Sequence, residues 1–395
     1  MNLMNVLIAA MFCRSSEERR GVTCWGLPLL IWGEPGTGKT RLLSRLAKQL
    51  GLDAYLRMSP AEQGEGRFGV VPVPGADGYL HYPPPADVAK RFETGRGLLF
   101  LDELTCASPA LQAPLLGLVQ LGMLGGYEFS PHVRIVGATN EVQDAAGGWD
   151  PSSGIMNRFG HLDFDGLEAH IWAGALLSNF SNVDDYALVE SAAALEDKVI
   201  AQWPTAYARA AGLVSGFISR RPDVLHKRPT KGSSDKAWPS RRSCHYATVA
   251  LASAKIHGLT EQEEDVLLSA FVGAAWVSEF RYWVDNADLP DVADLADKKI
   301  KFVHDERRPD RTLAVVGAFA ALVIPEKAEK RVDRAVAYYQ LIAELAKEVP
   351  DYVIAPTKAV LDAKLNVTTL GKSVQVVVSQ IFPLMQAAGW VKVQK

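Results

Sequence analysis

Residues 29–40 read Leu29-Leu30-Ile31-Trp32-Gly33-Glu34-Pro35-Gly36-Thr37-Gly38-Lys39-Thr40, and the rest of the chain is organised around them. Four apolar residues make the pattern of a buried parallel strand. They run into Gly-x-x-x-x-Gly-Lys-Thr, and Arg41–Leu50 then sets Leu42, Leu43, Leu46, Ala47 and Leu50 on one helical face. The glycines therefore lie between a strand and a helix, the context in which such a loop cradles phosphate. Gly33, Gly36 and Gly38 let backbone N–H groups approach phosphate oxygens with no Cβ in the way, and Glu34, Pro35 and Thr37 complete the turn. The N-terminus of the helix adds its partial positive charge. Lys39 can reach β- and γ-phosphates, and the Thr40 hydroxyl can ligate Mg²⁺.

A second phosphate-site signal is Gly97-Leu98-Leu99-Phe100-Leu101-Asp102-Glu103. It puts two carboxylates at the C-terminal end of a central parallel strand, where ligands bind in open α/β sheets. Asp102 is suited to hold Mg²⁺, directly or through water, and Glu103 to orient and deprotonate an attacking water. The strand His132–Asn140 ends in an amide that can hydrogen-bond the γ-phosphate or that water; capping a turn is the plainer role for Asn140. Between these signals the pattern predicts a strand at 53–58, a hairpin around Gly75-Ala76-Asp77-Gly78, a short helix at 86–92 and a helix capped by Ser108 with Pro109 at its first position. Asn157-Arg158-Phe159 leads into a fifth strand at 161–164.

The bulk numbers bound the class. The chain has 395 residues, 48% of them hydrophobic and 22% charged, with a net charge of −3. That is a globular composition with room for two or three domains, and it carries no overall basic field toward nucleic acid or membrane. Cys13, Cys24, Cys106 and Cys244 are scattered without a C-x-x-C pair, which argues against a disulfide framework or a zinc site. The apolar run Val6–Phe12 has no preceding Lys or Arg, so it reads as a helix packed on the first domain and not as a signal peptide. No apolar run reaches about 18 residues, so no membrane span and a cytoplasmic setting are expected.

After the fifth strand the pattern turns helical, with helices expected near 167–180, 185–202, 204–219, 243–257, 261–283, 311–323 and 326–348. The tail, 351–395, is mixed; Val374–Phe382 reads as helix or strand, and Trp390–Val393 as a short β-piece of a winged-helix-like unit. The loop 220–242 is basic, and Trp238 is its one aromatic residue. The cluster Phe271, Trp276, Phe280, Tyr282 and Trp283 reads as helical core.

Taken together these motifs resemble the AAA+ ATPases, and within them the MoxR branch. The resemblance rests on Gly33–Thr40, Leu99–Leu104, the sensor-1-like strand Ile135–Asn140, the arginine-finger-like Asn157-Arg158-Phe159 and Pro239-Ser240-Arg241-Arg242-Ser243, which is similar to the box opening a sensor-2 helix. It implies an α/β AAA+ P-loop domain with a five-stranded parallel sheet (1–166), an all-α lid carrying the sensor-2 box (167–285) and a mainly helical C-terminal region (286–395). It implies ATP and Mg²⁺ as cofactors, and a homo-oligomeric ring, usually a hexamer, that remodels a partner such as a von Willebrand factor A domain protein. The hairpin near 68–82 would face the pore. Arg158 would enter a neighbour's site, and Arg242, favoured over Arg241 by register, would read the γ-phosphate. The basic loop keeps a second reading open, a nucleic-acid motor or loader using the same ATP site.

Overall fold

The computed structural model describes residues 3–363 except 53, 64, 69–70, 84, 94, 126, 142–147, 178–189, 231–234 and 326–329, and beyond them residues 379, 382, 383 and 386. The tail segments expected at 374–382 and 390–393 lie essentially outside the described residues. The chain divides into two compact units, one of 1–199, 228–250 and 257–274, the other of 200–227, 251–256 and 275–395.

The elements of the first unit begin with α1 (Leu3–Met11), a hairpin of β1 (Arg14–Arg19) and β2 (Val22–Trp25), then β3 (Leu29–Trp32), α2 (Lys39–Leu50), β4 (Ala54–Met58) and the one-turn α3 (Pro60–Gln63). A hairpin of β5 (Val73–Pro74) and β6 (Leu80–His81) precedes α4 (Ala86–Phe92), β7 (Gly97–Leu101) and α5 (Pro109–Leu121). A third hairpin, β8 (Met123–Leu124) and β9 (Tyr127–Glu128), leads to β10 (Val133–Thr139), α6 (Ser153–Met156), β11 (Gly160–Asp163) and α7 (Ala169–Leu177). The 29-residue α8 (Ala192–Arg220) runs on into the second unit. Then come α9 (Arg241–His257), α10 (Glu261–Val272), α11 (Ala274–Asn286), α12 (Val292–Ala296), α13 (Pro309–Val323), α14 (Arg331–Leu345) and α15 (Pro350–Asp362).

The five-stranded sheet has the order β11-β3-β10-β7-β4, and every pairing is parallel. This is the α/β architecture with a five-stranded parallel sheet expected from the sequence. Every residue of β3, β7 and β10 is buried, as parallel strands covered on both faces must be. On one side Leu111, Leu115 and Leu118 of α5 join Leu30, Leu99, Leu101 and Ile135 in one core. The apolar run near the N-terminus is helical, as expected, and α1 is buried from Val6 to Met11.

Three local expectations need correction. The two helices foreseen around 185–202 and 204–219 are one, α8, which runs through Pro204. The proline costs a hydrogen bond and a steric push of about 3 kcal/mol, but Leu195, Val199, Ala210, Val214 and Phe217 keep burying one face across it. The helix foreseen over 261–283 is two, because Gly273 takes φ +82° and ends α10. In the aromatic cluster Trp276, Phe280 and Trp283 are core, meeting Phe217 edge-on or tilted, but Tyr282 is 72% exposed. The β1–β2 hairpin was not foreseen, because Arg14–Arg19 shows no apolar alternation; its Arg19 is buried and donates to the Ser130 carbonyl at 2.9 Å.

In the second unit α12 to α15 close around Phe319, Ala320, Tyr338, Tyr339, Ile342 and Val353. Helices α8 and α13 cross at Gly212 and Gly317, where an added Cβ on Gly317 would lie 2.7 Å from the Gly212 Cα. No described helix is long and apolar enough to cross a membrane.

The first turns of α8 are fixed to the sheet by charge. Glu196 accepts from Arg134 at 2.5 Å and from Arg96 at 2.8 Å, with His132 Nδ1 3.2 Å away. Arg134 also lies over the rings of Phe12 and Trp25. Burial pushes the Glu196 carboxyl up, but the charge of Arg134 and the hydrogen bonds from Arg134, Arg96 and His132 outweigh it and hold it below its ordinary value. Glu196→Ala leaves Arg134 buried and unpaired, and urea unfolding at neutral pH should show a loss of about 3–5 kcal/mol. The Glu196 contribution stands above the ordinary carboxylate range and fades as pH falls through the lower folded value, so the mutant's deficit should shrink in acid.

Candidate functional site

The parallel register carries β3, β7, β10 and β4 to one edge of the sheet, and their C-terminal ends gather the predicted residues. After Trp32 the chain turns through Gly36 (φ +83°) and Gly38 (φ +94°), left-handed conformations that favour glycine. Gly33 is required for another reason: a Cβ there would lie 2.2 Å from the Phe164 carbonyl oxygen. Helix α2 starts at Lys39, so its free N–H groups face the loop.

Lys39 Nζ donates to the carbonyls of Gly33 (2.8 Å) and Glu34 (2.9 Å) and to Asn140 Oδ1 (2.8 Å). Burial lowers its pKa, opposed by the charge of Asp102. Thr40 Oγ1 donates to Asp102 Oδ2 at 3.1 Å, and the Glu103 N–H donates to Asp102 Oδ1 at 3.1 Å. Thr105 ties the ends of β7 and β10 together, its N–H donating to Thr139 Oγ1 at 3.1 Å. Lys39, Thr40, Asp102 and Asn140 are thus brought into one constellation. A hydroxyl and a carboxylate oxygen so close form a hard oxygen donor pair that fits Mg²⁺.

Two residues that the sequence reading passed over touch the carboxylates. Ser59 Oγ donates to Glu103 Oε2 at 2.8 Å. Arg57 Nε donates to Asp102 Oδ2 at 2.6 Å, while its two terminal nitrogens hold Glu62 at 2.8 and 2.7 Å. Both sit at the end of β4, the neighbour of β7. A charged residue inside an otherwise apolar strand pattern, Ala54-Tyr55-Leu56-Arg57-Met58, was the available signal.

Beside the loop, Lys236 lies 4.4 Å over the Trp32 ring and pairs with Asp163 (2.9 Å) and Glu141 (2.8 Å). Trp32 Nε1 donates to His161 Nδ1 at 3.0 Å, and His161 Nε2 lies 2.9 Å from the Met156 carbonyl. Nε2 therefore carries the ring proton, and burial pushes the His161 pKa down to about 4. A recess of about 200 Å³ adjoins Gly36, Thr37 and Gly38, walled by Met4, Leu42, Phe164, Leu167 and Trp172.

Arg158 and Arg242 are not part of this constellation. Gly160 pairs with Leu29, the first residue of β3, so Arg158 sits toward the sheet edge opposite the loop. Arg158 donates to Gln120 Oε1 (2.9 Å) and the Gly154 carbonyl (2.8 Å), both neutral. Its pKa is lowered by burial and then by the charge of Arg242, which therefore stands close by. Ser240 joins this edge, donating to Asn157 Oδ1 at 3.0 Å, and Ser240 and Ser243 cap α9 reciprocally at 2.8 and 3.1 Å.

No protein-family model matches the chain, and no curated protein matches it in sequence. Among solved structures it is similar to the crystal structure of a candidate ATPase from Cytophaga hutchinsonii, at 11% identity and a TM-score of 0.43, over 68% of this chain and 80% of that one.

Gly33→Ala tests the geometry of the loop. The overpacking costs about 1–3 kcal/mol, and the displaced loop should lose fluorescent-nucleotide binding at least tenfold while far-UV circular dichroism stays unchanged.

Proposed function

We propose that this chain is a Mg²⁺-dependent ATPase of the MoxR type that works as a ring and remodels or assembles a partner protein. One observation carries the reading: Lys39 and Asn140 meet at 2.8 Å while Thr40 and Asp102 meet at 3.1 Å, so four residues from three strand ends converge on the phosphate loop. The backbone of Gly33–Thr40 would bind the phosphates, and the recess beside it, sized for one heterocycle and lined by Leu42, Phe164, Leu167 and Trp172 together with the polar Arg41, Arg45 and Gln49, would take the base. Lys39 would turn from the Gly33 and Glu34 carbonyls to the β- and γ-phosphates. Thr40 and Asp102 would hold the Mg²⁺, which supplies charge neutralisation across the phosphate oxygens. Glu103, released from Ser59, would accept the proton of the attacking water, with Asn140 positioning that water or the γ-phosphate.

Arg158 and Arg242 complete the proposal from outside. Two neighbouring cations without a carboxylate partner among the described residues favour an anion supplied by another molecule. The proposed anion is a neighbouring subunit's triphosphate, and Arg242 would then read the γ-phosphate of that neighbour. Such a heterologous interface closes into a ring; the hexamer, the von Willebrand factor A domain partner and the cytoplasm are carried over from the family resemblance. The nucleic-acid reading is less favoured, because Arg221 and Lys236 of the basic loop are paired with Asp223, Glu279, Glu141 and Asp163.

Lys39→Ala should abolish nucleotide binding, and Glu103→Gln should bind ATP yet hydrolyse it at least about 10²-fold more slowly. Arg158→Ala should lower turnover by about 10³-fold or more. Mixing it with Lys39→Ala should restore part of the rate at hybrid interfaces; a mixture as inactive as its components would refute the shared site.

A further inference from the structure

We infer that Arg57 is an internal counter-cation that occupies the metal-ligand carboxylate and makes metal binding conditional on nucleotide. The inference rests on the ATPase reading for its purpose, but its contacts stand independently. Arg57 pairs in register with Phe100, two residues before Asp102, so its side chain leaves β4 beside the end of β7. Its Nε reaches Asp102 Oδ2 at 2.6 Å, the same oxygen that accepts from Thr40 at 3.1 Å. A Mg²⁺ ion bound by that oxygen sits about 2.1 Å from it. The guanidinium and the ion would then stand within about 5 Å of each other, two cations on one oxygen.

The charge count says why such a residue is useful. Asp102, Glu103 and the Arg57-bound Glu62 bring three negative charges, and Lys39 and Arg57 bring two positive ones. The set keeps a net charge of only −1, so it offers a divalent cation little attraction by itself. A triphosphate adds several negative charges, and only then is a further cation favoured. Arg57 also has somewhere to go. Its terminal nitrogens already grip both Glu62 oxygens, so it can release Asp102 by a small swing without losing that fork. The Arg57–Glu62 pair is solvent-exposed, with side-chain accessibilities of 32% and 51%, so salt weakens that pair more than the contact to Asp102, whose side chain is 8% accessible.

The test needs no turnover. Free Mn²⁺ is titrated against the full-length protein without nucleotide and followed by electron paramagnetic resonance. The wild type should show no site below millimolar Mn²⁺, whereas Arg57→Gln should gain one, at least tenfold tighter, that Arg57→Gln/Asp102→Asn loses. The gain should persist at 0.5 M KCl, where the screening length is about 4 Å and a diffuse charge effect would vanish. In a second arm, the Mg²⁺ concentration giving half-maximal binding of a fluorescent ATP analogue should fall at least fivefold in Arg57→Gln. Equal Mn²⁺ uptake by wild type and Arg57→Gln, or a gained site that survives Asp102→Asn, would overturn the inference. So would a variant whose only change is a lower melting temperature. If no variant binds nucleotide, the ATPase reading fails, and the Mn²⁺ arm still decides the role of Arg57.

Discussion

The loop from Gly33 to Gly38 is held against the end of β11 by a contact that admits no side chain. An added Cβ on Gly33 would lie 2.2 Å from the Phe164 oxygen, and the Phe164 N–H in turn donates to the Trp32 carbonyl at 2.7 Å. The last residue of β3, the first of the loop and the first beyond β11 are thereby locked together. Everything downstream inherits that position: the start of α2 at Lys39, the reach of Lys39 to Asn140, and the approach of Thr40 to Asp102. Because these are backbone contacts, the geometry owes little to side-chain choice beyond the glycine itself.

Much of this was legible in the chain. Short apolar runs ending in Gly33, Asp102 and Asn140 announce buried parallel strands and where their ligand-facing ends lie, since period and strand-end chemistry are local properties. What stayed hidden depends on neighbours across the sheet. Arg57 and Ser59 matter only because β4 lies beside β7, and nothing local says which strand pairs with which. Lys236 belongs to a basic loop by composition, yet it stacks on Trp32 because the fold returns residue 236 to β3 and β11. The grouping of Arg242 with Arg158 was likewise invisible, since 84 residues of chain separate them. The polar hairpin β1–β2 escaped because a buried arginine, not apolar alternation, anchors it.

Two charge sets of the first unit make a contrast. Glu196 is matched by Arg134 and Arg96 deep against the sheet, and Asp102 by Arg57 at its edge. In the first set Glu196 and Arg134 are both buried, with Arg96 more open at the rim, and the pair serves to hold α8, because breaking it strands a cation in a low-dielectric interior. The second is half-open, and its members can change partners at small cost. Similar chemistry thus gives a fixed joint in one place and an exchangeable contact in another, and burial decides which.

Glu103 sits in the left-handed region, φ +55° and ψ +46°, where a side chain with a Cβ pays about 1–2 kcal/mol. Glycine at 103 would relieve that strain and leave a sturdier scaffold with no carboxylate to offer. A search for thermostable variants that ignored turnover would be expected to drift toward that substitution. The discomfort of this one backbone angle is what the proposed role of Glu103 would cost the fold in durability.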